Sequence, residues 1–228
     1  MMMKRTLLAA TLALSTLPTL ASDLQTPLNL GEHLALRSYT GQAIGSVFAN
    51  VLKAESAGFA VNASSICSTL TGAAAGRFVS GNAKNGVMAI AALSKPEDAT
   101  AGFASLKDKQ AIALMFGGQT SPEENAALVK ALLGEMAKAD YKGPVFLHLA
   151  VWAGKMAEKA AAEDAAIAKY LASKDNIYAL SVDKENGKGL VHNVSFKEGK
   201  QASVKVVHEA AMNEDWLNLF KRSLIKRN

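Results

Sequence analysis

Two shortages set the first limits. Among 228 residues there is a single cysteine, Cys67, and only 6% of the chain is aromatic. One cysteine closes no intramolecular disulfide, so the fold must rest on an ordinary apolar core. The phosphate-binding Gly-rich motif with its Lys is missing, as is a complete Gly-x-Gly-x-x-Gly, and so is the Gly-x-Ser-x-Gly elbow of many hydrolases. No low-complexity linker divides the chain, and past the first segment no run approaches the roughly 20 apolar residues of a spanning helix. What remains is an ordinary globular balance, 50% hydrophobic and 20% charged, which excludes disordered, collagen-like and multi-spanning classes.

The chain opens with Met1-Met2-Met3-Lys4-Arg5, continues with the apolar stretch Leu7 to Leu14, and reaches Pro18 and the small-residue site Thr19-Leu20-Ala21. That order is the grammar of a cleaved export signal, with cleavage expected after Ala21 or Ser22. The expected organisation is a signal peptide over 1–22 and one α/β domain over 23–228. The brief signal and the lack of a disulfide framework point to the bacterial periplasm. Losing Lys4 and Arg5 lowers the formal charge of +5 by two, leaving a mild, dispersed basicity that argues for solubility rather than nucleic acid. No transmembrane segment is expected once the signal is removed.

From Gly41 toward Phe59 the residues Ile44, Val47, Phe48, Val51 and Leu52 recur at helical spacing. A short apolar stretch, Phe59-Ala60-Val61, leads to Asn62-Ala63-Ser64-Ser65, whose side chains suit the start of a helix over about 66–78. From Gly86 the pattern becomes strand, turn, helix. Apolar runs at 87–93, 111–116, 145–151 and 177–182 predict four strands, and the capping boxes Ser94-Lys95-Pro96-Glu97 and Ser121-Pro122-Glu123-Glu124 open helices 27 residues apart. A helix over about 122–139 buries Leu128, Leu132 and Met136, and an Ala-rich helix follows over about 154–172. Continuous apolar strands between helices mean a largely parallel sheet of about four strands covered on both faces. Two alternating segments, 190–196 and 202–208, add an antiparallel hairpin, and a last helix over 214–225 carries Trp216, Leu217, Phe220 and Leu224 on one stripe. The cations behind that stripe suit a helix C-terminus, and would suit an anionic membrane surface only if the Trp216 face were exposed.

Four places have chemistry to offer. Gly117-Gly118-Gln119-Thr120 follows a strand and precedes a helix, where ligands of open α/β sheets bind. Glu123 and Glu124 in the next turn would repel phosphate there. His148, read as part of an apolar strand, is either a core imidazole or a ligand contact near the strand end. Cys67 and Ser65 stand at a helix N-terminus, where a nucleophile is activated if folding brings a His to it, the candidates being His33, His148, His192 and His208. In the hairpin, matching apolar faces pairs Phe196 with Ala202, Val194 with Val204, His192 with Val206 and Leu190 with His208. His192 and His208 then become diagonal neighbours about 7–8 Å apart, a reach that one metal ion spans, though two ligands are fewer than a zinc site needs.

No family resemblance emerges. The expected function is an exported binding or interaction protein without a catalytic site of its own. Its ligand contacts would be Gly117, Gly118, Gln119, Thr120 and His148, its partner a protein or a small molecule, with no cofactor implied. The competing expectation is a periplasmic hydrolase using Cys67 or Ser65 with a distant His.

Overall fold

The computed structural model describes residues 26–82 and 86–225. The expected export segment lies outside them. A long helix α1 (Leu30–Asn50) starts at a capping box in which the Asn29 side chain accepts from the Glu32 N–H, and the Glu32 carboxylate accepts from the Asn29 N–H. Strand β1 (Ser56–Asn62), helix α2 (Ser65–Gly81) and strand β2 (Val87–Leu93) follow. A 3₁₀ turn, Pro96–Asp98, leads into α3 (Ala99–Leu106), with the Asp98 carboxylate accepting from the N–H groups of Ser94 and Lys95. Then come β3 (Ala111–Met115), α4 (Pro122–Lys138), β4 (Val145–Leu147) and three short helices, α5 (Leu149–Ala153), α6 (Met156–Glu163) and α7 (Ala165–Ala172). The chain closes with β5 (Ile177–Asp183), β6 (Lys188–Lys197), β7 (Lys200–Ala211) and α8 (Glu214–Ser223).

The strands form one seven-stranded sheet in the order β2-β1-β3-β4-β5-β6-β7. The first five are parallel, and β6 runs antiparallel to both of its neighbours. The expectation of about four parallel strands is therefore one short. The addition is β1, whose core Phe59-Ala60-Val61 is too brief to announce a strand, yet it pairs on both sides and is buried along almost its whole length. The predicted helix from Gly41 is also shifted: α1 begins eleven residues earlier and ends at Asn50.

Alternate residues of the central strands feed two cores. One face carries Ile112, Leu114 and Leu147 against α3, α4, α6 and α7. The other carries Phe59, Met115 and Phe146 against α1 and α2, where Phe48 lies 5.4 Å from the Phe59 ring and 5.7 Å from the Phe146 ring, centroid to centroid. Leu128, Leu132 and Met136 of α4 are buried as their spacing predicts. The Ala-rich helix breaks into pieces at Lys155, which has φ of 52°, and at Asp164, whose carboxylate caps α7 by accepting from Ala166 and Ile167 N–H. Trp216 of α8 is only 7% exposed, packed with Leu28, Leu36 and Met212, so the condition for a membrane-facing stripe is not met. Arg222 ties α8 to α1 through a two-pronged pair with Glu32, at 2.6 and 3.0 Å. No helix among the described residues is long and apolar enough to cross a membrane.

Helices α1 and α2 meet almost backbone to backbone. A Cβ on Gly41 would collide with the Leu70 carbonyl oxygen, and one on Gly45 with the Ala74 carbonyl oxygen. The small-residue surface of α2 makes this approach possible. Gly72 and Gly76, on the exposed side of α2, have open space around them. Gly45→Ala should therefore lower the unfolding free energy by about 1–3 kcal/mol through overpacking, while Gly72→Ala should raise it by about 0.5–1 kcal/mol through helix propensity. Urea unfolding of the two variants beside the native protein reads both signs, and equal effects would contradict the packing described.

Candidate functional site

After β1 the chain crosses outward to β2, and from β2 it returns over β1 to β3 on the other side. The segments leaving the carboxyl ends of β1 and β3 consequently turn to opposite faces, α2 to one and α4 to the other. A crevice opens where they part, the usual place for a ligand in an open α/β sheet.

A polar clamp ties together the chain segments that leave β1 and β3. Asn62, at the end of β1 and 2% exposed, donates from Nδ2 to the Gly117 carbonyl and to Asn125 Oδ1, both at 2.6 Å. Its Oδ1 accepts from the Ser64 hydroxyl at 2.8 Å, and Ser64 Oγ in turn caps α2 by accepting from the Cys67 N–H. Asn125, 1% exposed in the first turn of α4, accepts from the Gly117 N–H at 3.0 Å and donates to the carbonyls of Thr120 and Ser121. Two buried amides thus fix the loop between β3 and α4, and leaving either unsatisfied would cost about 1–3 kcal/mol. Gly117 and Gly118 have φ of 146° and 75°, conformations that favour glycine. Space demands it as well, since a Cβ on Gly118 would come within 2.9 Å of Cys67 Sγ.

Cys67 lies in the first turn of α2, as predicted, but it is buried and its thiol donates to the Gly117 carbonyl at 3.2 Å. Burial pushes its pKa up, with the Ser64 hydroxyl and the Arg37 guanidinium opposing in part. The Ser65 hydroxyl donates to Gln119 Oε1 at 3.1 Å. Among the described residues no imidazole hydrogen-bonds to Cys67 or Ser65.

His148 is not within a strand. β4 ends at Leu147, because His148 caps α5, its Nδ1 accepting from the Ala150 N–H at 3.3 Å. It is 4% exposed, and burial first, then the nearby Arg37 charge, drive its pKa down to about 3. The ring is therefore neutral with its proton on Nε2, an atom that reaches no acceptor with good hydrogen-bond geometry.

The hairpin also departs from expectation. His192 does face Val206, but Leu190 faces Glu209, Val194 faces Ser203 and Phe196 faces Gln201. Register shifts beside His192 and Val194 are the cause. They set His208 opposite Val191, whose other neighbour Leu180 belongs to the α1/α2 face, whereas His192 lies beside Ala179 on the opposite face. The two imidazoles cannot share a metal. His192 is instead held between the Ser181 and Ser203 hydroxyls at 2.6 and 2.9 Å, and no metal-holding cluster occurs among the described residues.

Above Cys67 a cavity of about 280 Å³ is lined by Leu30, His33, Arg37, Ile66, Gly118 and Gln119. Of the predicted contacts, Gly118 and Gln119 line it. Gly117 is buried in the clamp, Thr120 faces a separate cavity with Glu124, and His148 is buried and lines neither. The residues that sequence reasoning missed are those of α1. Leu30, His33 and Arg37 continue, at spacings of three and four, the stripe that Gly41, Ile44 and Phe48 bury. Starting the helix at its real cap, Asn29, would have exposed a cation on an otherwise inward stripe.

The chain belongs to a protein family described as uncharacterized protein, whose model matches residues 33–219. No curated protein and no solved structure matches it.

Between pH 6.5 and 3 the unfolded chain protonates His148 and the folded chain does not. The unfolded state then binds more protons, and stability falls as pH drops through that window, by at most about 1.4 kcal/mol per pH unit. Asparagine keeps the cap without the titration. Urea unfolding at pH 6.5 and 5.0 should show His148→Asn losing about 1.5 kcal/mol less than the native protein across this interval; parallel losses would mean that the buried imidazole does not titrate as described.

Proposed function

We propose that the protein is an exported ligand-binding protein without a catalytic step of its own, and that its ligand docks in the crevice at the carboxyl ends of β1 and β3, against Gly118 and Gln119. One observation carries the reading. A buried, fully engaged amide clamp fixes the Gly117 peptide, and the next two residues, Gly118 and Gln119, line the cavity, so that wall is set before any ligand arrives. Such preorganisation favours binding because little ordering remains to be done on association. Export rests on the basic, apolar and small-residue grammar of residues 1–22.

The hydrolase alternative draws less support from the same geometry. A nucleophile needs a base within hydrogen-bond reach, and the Cys67 thiol is instead given to a carbonyl in surroundings that oppose its ionisation. Ser65 is similarly committed to Gln119.

Amino-terminal sequencing of protein recovered from the periplasm of a Gram-negative host should begin at Ser22 or Asp23. A small-molecule screen followed by amide resonances should find compounds that move Gly118 and Gln119, equally in the native protein and in Cys67→Ala. Turnover of a bound compound that Cys67→Ala abolishes would overturn this reading in favour of the hydrolase.

A further inference from the structure

We infer that the cavity above Cys67 binds a small carboxylic acid, with the Arg37 guanidinium holding the carboxylate and Leu30 and Ile66 covering its short apolar tail. This rests on the ligand-binding reading above and names its ligand class.

The first support is that, among the described residues, Arg37 is a cation without a counter-ion. It is partly buried on the inward stripe of α1, where burial opposes its charge. Neither a hydrogen bond nor an ion pair holds it among the described residues. Desolvated charges are ordinarily paired, because an unpaired one keeps its full desolvation cost. A guanidinium is also the group best shaped to take a carboxylate by two parallel hydrogen bonds.

The acids on neighbouring elements are engaged elsewhere. Glu32, on α1 itself, is held by both prongs of Arg222. Glu124 accepts from the Ser121 N–H at 3.1 Å and faces the separate cavity that Thr120 lines. Glu123 lies toward Lys130 and Lys159, on another surface. The repulsion that the sequence predicted at this loop is therefore directed away from Arg37.

The walls choose between kinds of anion. The N–H groups of Gly118 and Ile66 donate to no protein acceptor among the described residues, and the Gln119 side chain reaches the rim. The side chains of Leu30, 58% exposed, and Ile66 add apolar surface to the same lining. An inorganic oxyanion would use the donors and leave that apolar wall wet, whereas a carboxylate with a few carbons covers it as well. The volume, about 280 Å³, is just below the range of drug-sized ligands and suits a small acid.

The test uses butyrate, its uncharged isostere butyramide, and inorganic phosphate, each titrated into the protein while the Gly118 and Gln119 amide resonances are followed. Butyrate should shift both saturably, with butyramide and phosphate at least tenfold weaker. Arg37→Gln should weaken butyrate at least tenfold. Because Arg37 is partly buried, Leu30→Glu serves as a second variant: it places a carboxylate at the exposed rim in the first turn of α1, where the helix dipole accepts it, and should weaken butyrate to the same degree. Butyramide or phosphate binding as tightly as butyrate, or a folded Leu30→Glu protein binding butyrate like the native one, would overturn the carboxylate assignment. If neutral compounds from the screen still moved Gly118 and Gln119, the ligand-binding reading would stand and only the ligand class would fall. If nothing moved them, both would fall.

Discussion

The close approach of α1 and α2 is the constraint on which the rest depends. Gly41 and Gly45 lie against the backbone of α2, so the two helices pack nearer than side chains ordinarily permit. One turn before Gly41, the same rotation carries Arg37 inward beside Ile66 and Cys67. A larger residue at either glycine would push α1 away and take the guanidinium with it. The glycines therefore set the core on one face of the sheet and the charge of the site together, and neither can be altered independently of the other.

The second fixed point is the Gly117 peptide. Its N–H goes to Asn125, and its carbonyl receives hydrogen bonds from Asn62 and Cys67. One peptide group thereby joins the ends of β1 and β3 to the first turns of α2 and α4. A buried network of this kind contributes modestly to net stability when complete, but each missing member leaves an orphan polar atom behind. Its importance lies in specifying one loop conformation, and that conformation forms one wall of the cavity.

Much of this was legible in the sequence, for identifiable reasons. The capping box at Ser121, the apolar runs of β2, β3 and β5 and the stripe of α4 all carry strong local signals, and the structure places each close to where the pattern does, whereas the box expected between Ser94 and Glu97 is one residue out, Asp98 accepting from the N–H groups of Ser94 and Lys95. The glycine loop was likewise visible as a strand-to-helix turn. What was hidden depends on contacts distant in sequence. β1 is central only because β2 and β3 flank it, and three apolar residues say nothing of that. His148 reads as strand because Leu149, Ala150 and Val151 prolong the apolar run, while the chain turns at the imidazole to make a cap. The hairpin register is displaced by bulges, and alternation alone carries no mark of a bulge. Arg37 was overlooked for a different reason: the helix was begun too late, so the inward stripe lost the turns that contain it.

Arg37 also decides what kind of chemistry the crevice favours. A cation beside a thiol ordinarily lowers the thiol's pKa and so prepares a nucleophile. At Cys67 burial outweighs that effect, and the thiol stays protonated, with its hydrogen directed to the Gly117 carbonyl. Burial first, and the same cation second, lower the pKa of the His148 imidazole, so it is held neutral and cannot supply positive charge in Arg37's place. Neither neighbour thus becomes the anion that would balance the guanidinium, and the acids nearby are already paired or face elsewhere. Among the described residues no carboxylate pairs with Arg37, and the opening toward Leu30 and Gln119 is where an anion can enter.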